Sequence, residues 1–465
     1  MQKDNQDIQK ASITDRYLAA LTSQIRNRHA RIMVRQEMAG HLEDQTAAYL
    51  EEGMAREEAE KKAVAQMGDP VSVGMDMDRI HRPRAGWNLI LPILFLSILG
   101  LWAQYFFYYR FSDALLESEY FFGIPQYIFL RQCLITLAGL ALMAVVYFLD
   151  YSIIAAYSQI LGLAFLLGIT ILCQPGMLPR VNGAHSYMKS VLYLFVPIYG
   201  GILSRYRGAG LPGAVICLFW MAAAFFTGIW QVGGGFGISF DMLTICYVLF
   251  LLAVIRGWFT RQKKLLLFSA SLMAPIAAAC LGIHSLASYQ LARIQVLLHP
   301  EPFAREEGYL VTIARTITSS LPLFASNYRT LMEKGQLPMQ KLPNVQQEYI
   351  MLQIASIGGL ALVFLFVLLL SCFYLYLARM IFHQKNQAGQ VMGLGCVLVL
   401  SFETIRSLCN CFGFYTMSTG GLPFFSYGKY HTITVYILFG VLLSIYRYQD
   451  LAWDRSLKKM FRNPA

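Results

Sequence analysis

Long apolar runs fill the chain from Trp87 to about residue 447, and they restrict the possible folds more than any other feature of the sequence. A helix that crosses a bilayer needs about 20 predominantly apolar residues. Candidate spans lie near residues 89–108, 128–149, 152–173, 188–204, 211–230, 240–255, 264–284, 350–378, 388–412 and 431–447. With 56% hydrophobic and only 14% charged residues, a soluble fold would expose large apolar areas to water. We therefore predict an all-α, polytopic membrane protein with about ten transmembrane helices.

The basic residues give these helices an orientation. A net charge of +11 would also suit a nucleic-acid-binding protein. However, Lys and Arg sit mainly at the ends of apolar runs, where they mark cytoplasmic connections. Such ends occur on alternate connections, at residues 205–207, 256–264, 379–385 and 447–462. We expect no nucleic-acid partner, both termini in the cytoplasm, and external connections at residues 174–187, 231–239, 285–349 and 413–430.

The nine cysteines do not indicate a metal site or a disulfide framework. Most of them lie singly inside apolar runs, where a thiol behaves as a small hydrophobic group. Cys409 and Cys411 form a C-x-C pair, but no second pair of ligands accompanies them.

Residues 1–85 are polar and are expected to form a small cytoplasmic helical domain, ahead of a membrane domain at 86–450 and a basic tail at 451–465. Because the opening residues are polar, no secretory signal peptide is expected. Apolar residues from Tyr17 to Ile25 repeat at helical spacing. The segment EEGMAREEAEKKAVAQMGDP resembles the end of the prefix domain that precedes permease-like membrane proteins of Gram-positive bacteria. That resemblance implies an interaction or regulatory role, and a solvated helical tail without a specific partner is the alternative.

The connection 285–349 is the only long polar interruption between the apolar runs, and three motifs in and after it carry a family resemblance. YQLARIQVLLHP runs from Tyr289 to Pro300, and LPNVQQEY follows at the end of the same connection. GLPFFSYGKYHT then precedes the last span, and a weaker fourth element places His185 in the second external connection. In this order and position, the motifs resemble those of the RodA, FtsW and SpoVE proteins, the SEDS (shape, elongation, division and sporulation) family.

The resemblance implies a peptidoglycan glycosyltransferase that polymerises lipid II, the undecaprenyl-diphosphate-linked disaccharide-peptide, beside a class B penicillin-binding protein. It would serve cell elongation, division or sporulation. The family's reactive carboxylate in this connection is Asp, and the aligned residue here is Glu348. Its neighbours also depart from the family pattern, since Gln346 and Gln347 replace its His and Thr.

Glu348 is the predicted catalytic residue. The implied reaction needs a general base for the acceptor hydroxyl and cationic help for the departing diphosphate. The residues indicate no cofactor, although a divalent cation could supply that help. The alternative for Glu348 is a structural carboxylate that the N-terminus of the following helix stabilises.

The predicted substrate-binding residues are His185, Tyr289, Arg293, Ser426, Tyr427 and Gly428. Arg293 could bind phosphate oxygens through its guanidinium group, or it could form an ion pair with a nearby glutamate. Ser426, Tyr427 and Gly428 form a turn after Pro423, which would contact either substrate or neighbouring helices.

Several charged residues lie in or beside the spans. Glu403 and Arg406 are three residues apart, so we predict an ion pair within one helix, with a cavity lining as the alternative. Asp241 lies at the end of a span and suggests no special role. Lys429 and His431 could bind an anionic head group, or Lys429 could extend its side chain to the interface.

Three functions from different classes are compatible with the sequence. The first is a lipid II-using glycosyltransferase. The second is a scaffold or regulator of cell-wall synthesis that keeps the fold without the catalysis. The third is a flippase for polyprenyl-linked precursors, for which a repeat between the two halves would be expected but is not evident.

Overall fold

The structure is a computed structural model. It describes residues 12–26, 28–80, 85–110, 124–179, 185, 187–232, 236–260, 308–335, 337–343, 345–414 and 421–449, with short pieces between 267 and 303. Helices and turns make up these residues, and no strand occurs among them. Because a bilayer offers no partners for backbone polar groups, helices are the expected solution for such an apolar chain.

The described residues up to Ala85, together with Arg447–Gln449, form one compact unit, and Gly86–Tyr446 form the second. The first unit contains α1 (Ile13–Ser23), α2 (Arg28–Glu51), α3 (Arg56–Gln66) and α4 (Pro70–Ile80). Its core is formed by residues such as Leu21, Ile25 and Leu42, and Tyr448 packs against it. Asp69 accepts a hydrogen bond from the N–H of Ser72, so its carboxylate caps the first turn of α4.

The second unit contains seven helices that are long and apolar enough to cross a membrane, counted over the described residues. Its helices up to Ile255 are α5 (Trp87–Arg110), α6 (Pro125–Phe148), α7 (Tyr151–Ala156), α8 (Ser158–Leu172), α9 (Met188–Val191), α10 (Phe195–Arg205), α11 (Gly210–Phe226) and α12 (Phe236–Ile255). The helices after them are α13 (Tyr309–Ser319), α14 (Tyr328–Glu333), α15 (Pro338–Lys341), α16 (Val345–Glu348), α17 (Ile350–Phe382), α18 (Gln387–Cys411) and α19 (Lys429–Arg447). The predicted class, an all-α polytopic membrane protein, is confirmed.

Two of the predicted spans are divided into shorter helices. The span at 152–173 is divided into α7 and α8, and the span at 188–204 into α9, a 3-10 turn and α10. α10 is buried on nearly all sides, and Gly200 lets it approach α18, because a Cβ there would lie 2.9 Å from the Cα of Met392. The span predicted at 264–284 lies mostly outside the described residues.

α17 is interrupted at Gly359, whose φ of 76° and ψ of 173° are not helical. A Cβ on this residue would lie 2.6 Å from the carbonyl oxygen of Leu323, so only glycine fits. The N–H groups of Leu360 and Ala361 donate to the carbonyl oxygens of Pro322 and Leu323 instead of to carbonyls of their own helix. The break therefore attaches part of the connection 285–349 to the span that follows it.

Candidate functional site

Glu348 ends α16, a single helical turn that leads directly into α17. Its side chain is half-buried, and the turn lies where the first backbone N–H groups of a long helix begin. A carboxylate in this position has access to solvent and is close to the positive end of the α17 dipole. This placement suits a group that must exchange a proton with a bound molecule.

The backbone of the Glu348 turn is held at three consecutive carbonyl groups. The N–H of Tyr427 donates to Gln346 O at 2.8 Å, and the hydroxyl of Ser426 donates to Gln347 O at 2.6 Å. The thiol of Cys411 lies 2.9 Å from Glu348 O and donates to it. The LPNVQQEY and GLPFFSYG segments, which are far apart in sequence, are thus joined at the candidate carboxylate.

The segment Gly421–Gly428, which we call the SYG loop, is itself fixed from several sides. The N–H of Leu422 donates to the Ser426 hydroxyl at 2.7 Å, so this hydroxyl both accepts and donates a hydrogen bond. Phe424 has a φ of 69°, which is unusual for a residue with a side chain.

α5 supports the same loop from another direction. Gln104 donates to Phe425 O at 2.8 Å. A Cβ at Gly100 would lie 2.1 Å from Phe424 O, so the helix and the loop can meet only because this residue is glycine. The loop is a rigid platform for the Glu348 turn.

The other predicted site residues are placed differently. The side chain of His185 is 1% exposed, and the backbone N–H of the same residue donates to Val232 O. Two residues on, the ring of Tyr187 lies 5.5 Å from that of Tyr430, which follows the SYG loop. The segment around His185 therefore reaches the same end of the unit as Glu348. Tyr289 and Arg293 lie outside the described residues, and their roles stay predictions.

The structure corrects the predicted pairing of Glu403 with Arg406. Arg406 forms its ion pair with Asp241 of α12, and Tyr193 donates a hydrogen bond to the same carboxylate at 2.9 Å. Arg406 is 6% exposed and the Asp241 side chain 17%, which explains why an acid at the end of a span is needed there. A pairing between helices was not evident from helical spacing, which relates only residues of one helix.

Glu403 instead faces His431 of α19, whose Nδ1 lies 3.4 Å from the carboxylate. Both side chains are almost fully buried, so the prediction that His431 could bind an anionic head group is wrong. The ring of His431 lies beside the SYG loop, because a Cβ at Gly421 would be 3.2 Å from its Cδ2 atom. The Glu403–His431 contact thus lies beside the SYG loop that holds the Glu348 turn.

No cluster of three or more His, Cys, Asp or Glu that could hold a metal ion occurs among the residues that the structure describes.

Comparison with known proteins decides the family. A family model described as cell cycle protein, for FtsW, RodA and SpoVE, matches residues 92–451. The chain belongs to this family. The match begins inside α5, so it does not include residues 1–85, and the resemblance inferred from the three sequence motifs is confirmed.

Individual relatives of the FtsW, RodA and SpoVE family are distant in sequence. A protein of Cyanophora paradoxa that is named as a peptidoglycan glycosyltransferase, FtsW, is 23% identical over 363 residues, which are 72% of this chain and 84% of that protein.

Solved structures of the family share the fold. A chain from a structure of a peptidoglycan synthase complex, titled for the coordination of polymerization and crosslinking, has a TM-score of 0.57 at 18% identity. That match covers 78% of this chain and 98% of the other. The rod shape determining protein RodA of Thermus thermophilus matches with a TM-score of 0.50 at 14% identity. This match covers 78% of the present chain and 97% of the RodA chain.

Proposed function

We propose that this protein is a peptidoglycan glycosyltransferase that polymerises lipid II, with Glu348 as the general base. The observation that carries the proposal is a set of three hydrogen bonds, which Cys411 and the SYG loop donate to the consecutive backbone carbonyls of residues 346–348. A backbone fixed in this way holds a reactive carboxylate in one position, which is a main requirement of catalysis. The family membership and the name of the Cyanophora relative support the same activity.

In the proposed reaction, the Glu348 carboxylate takes the proton of an acceptor sugar hydroxyl. At the same time, the hydroxyl oxygen of the acceptor sugar bonds to the anomeric carbon of the donor. The bond from that carbon to the diphosphate oxygen breaks, and undecaprenyl diphosphate leaves with the electron pair. Arg293 and Lys429 are the candidate cations for the leaving group, together with a divalent cation if one is needed. Glu348 releases its proton to solvent, to which it is partly exposed.

The setting that we propose is the bacterial cytoplasmic membrane, with both termini in the cytoplasm and the Glu348 turn on the outer side. The basic residues at alternate connections support this orientation. We further propose a class B penicillin-binding protein as partner, because the fold matches a chain from a complex that coordinates polymerization with crosslinking.

A second candidate is a scaffold or regulator of cell-wall synthesis that has lost catalysis. Two observations favour it: Glu348 stands where the family resemblance places Asp, and a separate N-terminal unit with its own core precedes the membrane unit. In that case the N-terminal unit would bind a partner and Glu348 would be dispensable.

The test is polymerisation of fluorescent lipid II by the purified full-length protein, with and without a candidate class B penicillin-binding protein. The proposal expects glycan chains of many disaccharides on a gel, from the protein alone or with the partner. Absence of polymer in every condition, from protein that is monodisperse and folded, would refute the enzyme and favour the scaffold.

A further inference from the structure

The segment Leu321–Ser326, which we call the loop tip, exposes two large apolar side chains. Leu323 is 50% exposed and Phe324 is 78% exposed. The chain between Arg315 and Arg329 carries no charged residue. Exposed apolar groups of this size on a fixed backbone mark a contact surface.

The loop tip is fixed and not merely adjacent to the membrane unit. Asn327 N–H donates to Ser356 O, and the Asn327 side chain closes the segment by donating to Ser320 O at 2.7 Å. On the other side of the break in α17, Leu360 and Ala361 donate to Pro322 and Leu323. The tip is therefore held at the level of Gly359.

At the level of Gly359, α17 changes from a helix buried within the protein to a helix with large exposed apolar side chains. Residues 350–356 are buried without interruption, whereas Phe364, Leu365 and Leu368 are 57–64% exposed. The 33 residues of α17 would measure about 50 Å, far more than the ~30 Å of a bilayer core. From Leu360 to Phe382 the length is about 34 Å, which matches it.

Neighbouring helices place an interfacial aromatic band near this level. Phe366, less than two turns after Gly359, has its ring 5.0 Å from that of Phe425. Phe425 is bonded to Gln104 of α5, and around Gln104 the side chains of Trp102, Tyr105 and Tyr109 are 44–58% exposed. Exposed Trp and Tyr at one end of a membrane helix are typical of the head-group region.

We infer that the loop tip inserts into the bilayer leaflet on the side of the Glu348 turn, with Phe324 among the upper parts of the lipid chains. The occupant is lipid, because the tip continues the lipid-facing surface of α17 at the level where its apolar exposure begins. The connection 285–349 would then be attached to the membrane at a second point, besides the spans at its ends. This inference is independent of the chemistry proposed for Glu348.

The test places an environment-sensitive fluorophore (NBD) on Phe324→Cys in the full-length protein in phosphatidylethanolamine and phosphatidylglycerol nanodiscs. The exposed Cys280 and Cys372 are first replaced by Ser. Thr316→Cys, an exposed position on α13 of the same connection, is the matched control in water, and Leu368→Cys is the control in lipid. Quenchers are lipids spin-labelled near the head group, lipids spin-labelled near mid-chain, and aqueous iodide.

We expect the head-group spin label to quench the fluorophore at position 324 several-fold more than at position 316, and iodide to act in the opposite order. Position 368 should respond most to the mid-chain label. If iodide quenches positions 324 and 316 equally and the spin-labelled lipids affect neither, the tip faces water and the inference is wrong. Protection of position 324 from all three quenchers would indicate contact with a second protein copy, which would also overturn the inference.

Discussion

Glu348 carries one methylene more than the aspartate that the family resemblance places at this position. A displacement of about 1 Å at a reacting group can cost of order 100-fold in rate. Because three carbonyls of residues 346–348 are held, the backbone cannot easily move to absorb the extra length. The extra length must therefore be absorbed by the side-chain rotamer of Glu348, or by the different side chains that Gln346 and Gln347 place beside it.

Ser426 offers a test of the platform beneath that carboxylate. Replacing it by Ala leaves Leu422 N–H and Gln347 O without their buried partner, and each unmade bond costs about 1–3 kcal/mol. We expect Ser426→Ala to lower the thermal unfolding temperature in detergent and to lower the polymerisation rate. Ser319→Ala, which removes a bond from an exposed serine, is the control and should behave as wild type. Equal melting of the two variants would contradict the account.

At this scale the sequence predicted the candidate residues but not what holds them. Glu348 and Ser426 follow from motifs, whereas Cys411 has no signal of its own beyond a C-x-C pair. Its bond to Glu348 joins residues 63 positions apart, and the bond from Ser426 to Gln347 spans 79. Contacts of this kind depend on how helices pack, which hydrophobic periodicity does not specify.

Between elements, buried charge fixes α12 against α18. Arg406 and Asp241 are 165 residues apart in sequence, and each would be a costly charge within the apolar unit without the other. Glu403 of α18 and His431 of α19 also meet across two helices, with Nδ1 of the histidine 3.4 Å from the carboxylate. These contacts account for Glu403 and Arg406, for which the sequence predicted an ion pair within one helix or a cavity lining.

The Asp241–Arg406 pair predicts strong coupling in a double-mutant cycle. Arg406→Leu alone should destabilise the protein by about 3–5 kcal/mol, because it leaves the mostly buried Asp241 carboxylate without its cationic partner. Adding Asp241→Asn should recover much of that loss. Denaturant unfolding in detergent measures both, and Arg379→Leu, at an exposed position of α17, is the control. Additive effects of the two substitutions would show that the pair is not coupled.

The break in α17 also belongs to this scale. The apolar run at 350–378 predicts one continuous span, and the pair Gly358–Gly359 is compatible with a helix. Only the approach of Leu323 to Gly359 requires the break, and that contact comes from a distant part of the connection. The sequence therefore predicts the existence of the span but not where its membrane-crossing part begins.

For the whole molecule, the N-terminal unit and the membrane unit each have a core of their own. The hydrogen bonds that hold the Glu348 turn come from Cys411, Ser426 and Tyr427, all of which lie in Gly86–Tyr446. The proposed chemistry thus needs only the second unit, and the first unit would serve regulation or partner binding.

Deletion of residues 1–85 separates the two candidate functions. We expect the shortened protein to polymerise lipid II in detergent at the wild-type rate, because the bonds described above for the Glu348 turn come from within Gly86–Tyr446. Its cellular role can still fail if a partner binds the missing unit. Loss of polymerisation by a shortened protein that remains monodisperse would mean that the first unit takes part in the reaction.

The most direct measurement is the rate of lipid II polymerisation by wild type, Glu348→Gln, Glu348→Asp and the control Glu333→Gln, which changes an exposed glutamate of the same connection. If Glu348 is the base, Glu348→Gln should lose at least about 100-fold, as expected for a positioned general base. Glu348→Asp should keep part of the rate, and Glu333→Gln should match wild type. A Glu348→Gln protein that polymerises as fast as wild type would contradict the account.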